Sequence, residues 1–91
     1  MYERDLEAKI LIVLGKHDAL FSSAAPRRLA WDIKKLGIDT VERLALTMSP
    51  SQLGRMGLLG VRRLAQLRRD RGVEALKRLL KDLRGALQGG R

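Results

Sequence analysis

The stretch Ser49-Pro50-Ser51-Gln52-Leu53-Gly54-Arg55-Met56-Gly57-Leu58-Leu59-Gly60-Val61-Arg62-Arg63-Leu64 reads as two helices joined by a bend with glycine at each end. Ser49 is a natural N-cap, and Pro50 suits the first helical position, where its missing N–H costs nothing. Gln52 stands three residues after Ser49, as the return partner of a capping box. The short helix ends near Met56. Gly57-Leu58-Leu59-Gly60 then makes a tight apolar turn, and a basic helix follows from about Val61 to Arg71, closed by Gly72.

The same punctuation recurs on both sides. Asp39 is the expected cap of a third helix, with Glu42 in the reciprocal position, and Pro26 opens a second helix that runs to Leu36 and stops at Gly37. A first helix is expected from Glu3 to Leu14, closed by Gly15. Its apolar run Ile10-Leu11-Ile12-Val13-Leu14 fits a helix buried on most sides, the alternative being a short strand. Lys16 to Ala25 reads as a connection with one turn at Asp18-Ala19-Leu20-Phe21. The last helix runs from Val73 to Leu87, with Val73, Leu76, Leu80, Leu83 and Leu87 as its stripe and Lys77, Lys81 and Arg84 on the opposite side. Eighteen leucines recur at helical spacing and only three aromatic residues occur, Tyr2, Phe21 and Trp31, which argues against an extensive sheet. The expected fold is all-α: a compact single domain of five or six helices over residues 1–88, with residues 89–91 as a flexible tail.

Ninety-one residues suffice for one core, and 45% hydrophobic against 32% charged residues suits a globule rather than a disordered tail. The longest apolar run is five residues, against roughly 20 for a membrane-crossing helix, so no membrane partner is expected. Met1-Tyr2-Glu3-Arg4-Asp5 carries mixed charge, unlike a secretory leader, and the expected location is cytoplasmic. With no cysteine, disulfides, iron–sulfur clusters and thiolate-bound zinc are excluded, and no cofactor is implied.

The formal net charge is +9, and its location says more than its size. Residues 1–50 hold eight Lys/Arg against seven Asp/Glu, whereas residues 51–91 hold eleven against three. A basic half of this kind points to polyanions, nucleic acid first. Arginine outnumbers lysine thirteen to six, and its planar fork of donors matches phosphate oxygens.

Gly37-Ile38-Asp39-Thr40-Val41-Glu42-Arg43-Leu44-Ala45, then Ser49-Pro50-Ser51-Gln52-Leu53, then Met56-Gly57-Leu58-Leu59-Gly60 together resemble the helix-hairpin-helix domains. The likeness is to the C-terminal domain of the bacterial RNA polymerase alpha subunit and the N-terminal domain of RecA-type recombinases. It covers about a third of the chain, within residues 37–71. Leu53 and Met56 fill the apolar positions of the short helix, Leu59 the apolar hairpin position, Gly60 the second hairpin glycine, and Leu67 an apolar position of the following helix. The pattern is degenerate: Leu58 stands where the first hairpin glycine belongs, Leu64 where alanine is usual, and the linker at Thr47-Met48 is about one residue too long for the pattern. Leucine at a position of positive φ is disfavoured, so the hairpin is either remodelled or in another register. The resemblance implies a duplex DNA-binding element.

A glycine turn feeding a helix N-terminus leaves backbone N–H groups unpaired, and with the helix dipole these form an anion site. Gly57, Gly60 and Val61 belong to that turn, Arg55, Arg62 and Arg63 surround it, and Arg68, Arg69 and Arg71 extend the positive surface, although the last three also suit the negative end of a helix dipole. The phosphate-binding set expected is therefore Arg55, Gly57, Gly60, Val61, Arg62, Arg63, Arg68 and Arg69. The expected activity is non-specific binding of duplex nucleic acid, DNA favoured, as a chromatin, repair, recombination or transcription accessory, since phosphate contacts carry no sequence information.

Nothing points to catalysis or to a metal. His17 is the single histidine and reads as a surface residue, Ser22 and Ser23 as turn residues, and the acidic residues do not cluster. Trp31, beside Leu29 and Ile33, reads as a core anchor rather than a base-stacking platform. Two rival readings stay open. One is a helical interaction module or homodimer that uses the leucine face of the last helix. The other is a helix-turn-helix or winged fold whose recognition helix carries Arg27, Arg28, Lys34 and Lys35.

Overall fold

The structure, a computed structural model, describes residues 3–19 and 24–88. They form six helices: α1 (Glu3–Lys16), α2 (Ala25–Leu36), α3 (Ile38–Thr47), α4 (Pro50–Arg55), α5 (Leu59–Arg71) and α6 (Val73–Gln88), with no strand among the described residues. The all-α, six-helix class matches the sequence expectation. Leu20 and Phe21 of the turn expected at Asp18-Ala19-Leu20-Phe21, the residues Tyr2, Ser22 and Ser23, and the tail at residues 89–91 lie outside the described residues.

Two glycines each end one helix and begin the next. Gly37 (φ +87°) and Gly72 (φ +94°) hold the left-handed region. The Gly37 N–H closes α2 on the Ile33 carbonyl, and its own carbonyl accepts the Val41 N–H that opens α3. Because Gly37 is itself the cap, Asp39 falls inside the first turn of α3 and caps nothing; its carboxylate instead meets Arg84 at 2.7 Å. The predicted end of α1 at Gly15 is also corrected. The helix continues to Lys16 and closes where the Ala19 N–H reaches the Leu14 carbonyl (2.8 Å) and the Asp18 N–H reaches Gly15 (3.2 Å). Asp18, with φ +54°, takes the role expected of glycine, and buried Leu14 and Ala19 supply the apolar contact across that closure.

One core runs through all six helices. It includes Ile10 and Leu14 of α1, Leu29 and Ile33 of α2, Val41 of α3, Leu53 of α4, Leu64 and Leu67 of α5, and Leu76 and Leu80 of α6. The apolar run of α1 is not buried on most sides, because Leu11 and Ile12 are 47% and 65% exposed. On α6 the buried stripe is Leu76, Leu79, Leu80 and Leu83, whereas Val73 lies outside it. These leucines are consumed by the chain's own interior, which removes the free leucine face that an interaction module would need.

α2 and α5 cross closely, and Gly60 is the reason. A Cβ on Gly60 would lie 2.4 Å from the Leu29 Cα and 2.5 Å from its N. Only hydrogen fits between the two backbones.

Candidate nucleic-acid interface

The capping box at Ser49 forms as the sequence requires. The Gln52 N–H donates to Ser49 Oγ (3.1 Å), and the Ser49 N–H donates to Gln52 Oε1 (3.2 Å). After a turn and a half α4 closes in a Schellman motif, with the Leu58 N–H on the Leu53 carbonyl (3.0 Å) and the Gly57 N–H on Gly54 (3.1 Å). Gly57 carries the positive φ, +78°, while Leu58 sits at φ −93°. The positive φ thus falls at Gly57, one position before Leu58, where the resemblance expects the first hairpin glycine, and leucine at 58 is unstrained. Buried Leu53 and Leu58 make the apolar contact that accompanies such a closure.

α5 begins at Leu59, two residues before the predicted start, and Leu58 offers no side-chain cap. The acceptor comes from α2. The Val61 N–H donates to Asp32 Oδ2 at 2.9 Å, and the Gly60 amide faces the same carboxylate. Asp32 is 5% exposed, so α5 has its anion built in. Burial holds the Asp32 carboxyl above the usual aspartate range, and the Val61 and Gly60 amides and nearby Lys35 draw it part of the way back. The expectation that Gly60 and Val61 would offer bare amides to a phosphate is therefore corrected. Both residues are buried, and their donors face a carboxylate that would repel an incoming oxyanion.

Arg68 also leaves the expected set. Its guanidinium donates to the Ala45 and Met48 carbonyls, the latter at 2.9 Å, and so completes the C-terminal end of α3. Arg71 does the same for α1, donating to the carbonyls of His17 (2.8 Å) and Asp18 (2.7 Å). Arg84 joins α6 to α3 through Glu42 and Asp39. These cations brace helix ends and helix pairs.

Arg55, Arg62 and Arg69 come together. With Pro50, Ser51, Gly54 and Gln66 they line one open concavity between α4 and α5. Residues 62, 66 and 69 share a helix face by their spacing, and Arg55 reaches the same hollow from the end of α4. The Arg62 side chain lies over Gly54, its Cδ 3.4 Å from where a Cβ would stand. Arg69 continues into a neighbouring hollow with Arg63, Gln66 and Asp70, where Arg63 donates to Gln66 Oε1 at 3.1 Å. Gly57 lies on another side of the bend, lining a hollow with Trp31, Asp32, Lys34 and Lys35.

Trp31 is 56% exposed and is no core anchor. Its position explains this. Leu29, Asp32, Ile33 and Leu36 mark the inward stripe of α2, and Trp31, two residues from both Leu29 and Ile33, points about 200° away from either. His17 is half-buried and paired, its Nε2 lying 2.7 Å from Asp82 Oδ2. That bond holds the Asp82 carboxyl below the usual aspartate range. Among the described residues no three His, Cys, Asp or Glu side chains gather where a metal ion could be held. No strand is present there to supply a wing beside α2, and no helix there is long and apolar enough to cross a membrane.

No family model matches this chain, and no curated protein or solved structure matches it.

Proposed function

We propose that this protein binds duplex nucleic acid, DNA in particular, through backbone phosphates held by the guanidinium groups of Arg55, Arg62 and Arg69, with Arg63 at the rim. The observation that carries this reading is the convergence of three arginines on one open hollow, which Ser51 and Gln66 supply with further polar groups. A chain of net charge +9 with most of the excess after residue 50 supports it. The reading keeps the helix-hairpin-helix likeness as its family proposal, but moves the phosphate contacts from the hairpin amides to side chains on α4 and α5. Side-chain contacts of this kind read no sequence, so the protein acts as a low-specificity chromatin, repair, recombination or transcription accessory in the cytoplasm or nucleoid, without a reaction of its own.

The test is a salt titration of binding to a labelled duplex, beside a single strand and a structured RNA. Each phosphate neutralised on duplex DNA contributes about −0.9 to the slope of log affinity against log salt, so three arginines give a slope near about −2.7. Reversing Arg62 and Arg69 to glutamate should cut duplex affinity more than about tenfold and flatten the slope. Binding that is flat in salt, or indifferent to the reversal, refutes the reading.

A further inference from the structure

Trp31 is the single tryptophan of the chain, and more than half of it stands in solvent. It occupies the outward face of α2 with Arg27 one turn before it and Lys35 one turn after, each about 6 Å away along the helix axis. The hollow beside it is lined by Lys34, Lys35, Gly57 and Asp32. Asp32 turns its carboxylate inward, onto the α5 amides, so the indole borders a rim of cations. Across the bend Met56 is 54% exposed, and Arg55 next to it opens onto the arginine hollow. Arg55 of one hollow and Gly57 of the other stand two residues apart in the chain, with exposed Met56 between them.

We propose that Trp31 is a stacking platform for an unpaired nucleobase, and that the protein's preferred ligand is a duplex carrying an unpaired extension. This rests on the duplex-binding reading above and adds the substrate class to it. An exposed indole gives one base a flat apolar face whatever the base's identity, while cations on either side along α2 meet the phosphates that flank it. Base pairs inside a duplex cannot stack on a side chain, because both of their faces are covered, and the end pair of a blunt duplex offers only its outer face. Along its length a blunt duplex therefore engages Arg55, Arg62 and Arg69 alone, and a strand running past the duplex end crosses the bend to Trp31. An apolar peptide anchor could also cover an indole, but only an acidic one would accept the cation rim, and the adjoining arginine hollow favours a continuous phosphate backbone.

Having a single tryptophan makes the experiment direct. Intrinsic fluorescence is followed on titration with a blunt duplex, with the same duplex bearing a short unpaired extension, with an extension of equal charge built from abasic sugars, and with an acidic peptide containing phenylalanine. The base-bearing extension should quench Trp31 and bind about five- to tenfold tighter than the blunt duplex, while the abasic extension should do neither. Followed by the anisotropy of a labelled duplex, since the variant has no tryptophan, Trp31→Ala should bring the extended duplex to the affinity of the blunt one and leave binding along the blunt one unchanged. Its fold is checked by circular dichroism, and Trp31→Phe, which retains an aromatic face, should restore part of the gain. Equal affinity for the abasic and base-bearing extensions, or quenching by the peptide alone, overturns the platform while the duplex reading stands. Failure of the blunt duplex to bind at all overturns both.

Discussion

Replacing Gly60 with alanine tests whether the α2–α5 crossing is as close as described. An added Cβ would meet the Leu29 Cα at 2.4 Å, the Leu29 N at 2.5 Å and the Arg28 C at 2.7 Å, all backbone atoms that cannot rotate away. Carbon contacts prefer about 3.5–4.0 Å, so the two helices must part by about 1 Å. Overpacking of this kind costs about 1–3 kcal/mol. The same movement stretches the 2.9 Å bond from the Val61 N–H to Asp32 beyond the usual limit of about 3.2 Å, and leaving buried polar groups poorly paired adds about 1–3 kcal/mol. The combined loss, about 2–6 kcal/mol, is a large share of the about 5–14 kcal/mol expected for a chain of this length. In thermal unfolding followed by circular dichroism, Gly60→Ala should lower the midpoint by about 8–48 °C, at about 4–8 °C per kcal/mol. Gly85 provides the control. It lies within α6 with nothing within 4 Å of an added Cβ, so Gly85→Ala should stabilise by about 0.5–1 kcal/mol through helix propensity alone. If Gly60→Ala unfolds within a few degrees of the unaltered protein while Gly85→Ala behaves as stated, the account of the crossing is wrong.

Two further substitutions separate bracing arginines from binding ones. Arg68→Ala removes donors from the Ala45 and Met48 carbonyls and should cost about 1–3 kcal/mol in urea unfolding with duplex affinity nearly unchanged, whereas Arg62→Gln should weaken duplex binding and leave the urea midpoint in place. Asp32 gives a pH signature. Its carboxyl is held above its unfolded value, so the stability linked to it is full below the usual aspartate range and is lost as pH rises through the folded value. Asp32→Asn removes that loss, and the stability of the variant minus that of the unaltered protein should increase from about pH 3 to pH 7 in urea titrations. Asp82 titrates in the opposite sense, its stability being lost on acidification, but it is present in both proteins and cancels from the difference.

Helix order was legible because it is written in local chemistry. Gly37, Gly72 and the Ser49–Gln52 box mark their ends and starts through φ and hydrogen bonds within a few residues, and the helices they bound lie within two residues of the expected limits. Partnerships across helices are written nowhere locally. Asp32 and the α5 amides are separated by 29 residues, Arg68 and the Ala45 carbonyl by 23, and Arg71 and the His17 carbonyl by 54. A glycine bend before a basic helix looks like an anion site until it is known that α2 passes over it. Trp31 is a different case, because its angle to Leu29, Ile33 and Leu36 was available from the sequence. That angle outweighs the general tendency of tryptophan to be buried. Asp32 is legible in the same way, since a carboxylate three residues from Leu29 and four from Leu36 lies on an inward stripe and must find donors there.

Moving the anion contacts from amides to guanidinium groups changes how a duplex could lie on this protein. Helix amides fix a phosphate to one point and one direction, whereas arginines on flexible stems accept a range of backbone paths. Under the duplex-binding proposal, the Asp32 carboxylate beneath Gly60 and Val61 would oppose a phosphate placed over the start of α5 and would keep the backbone to the side of the bend where Arg55, Arg62 and Arg69 open. Arg55 and Arg69 reach that hollow from the end of α4 and the far part of α5, which would set the strand along the groove between the two helices rather than across their ends. A strand following that groove toward Arg55 would come to Met56 and Gly57, and Gly57 shares its hollow with exposed Trp31.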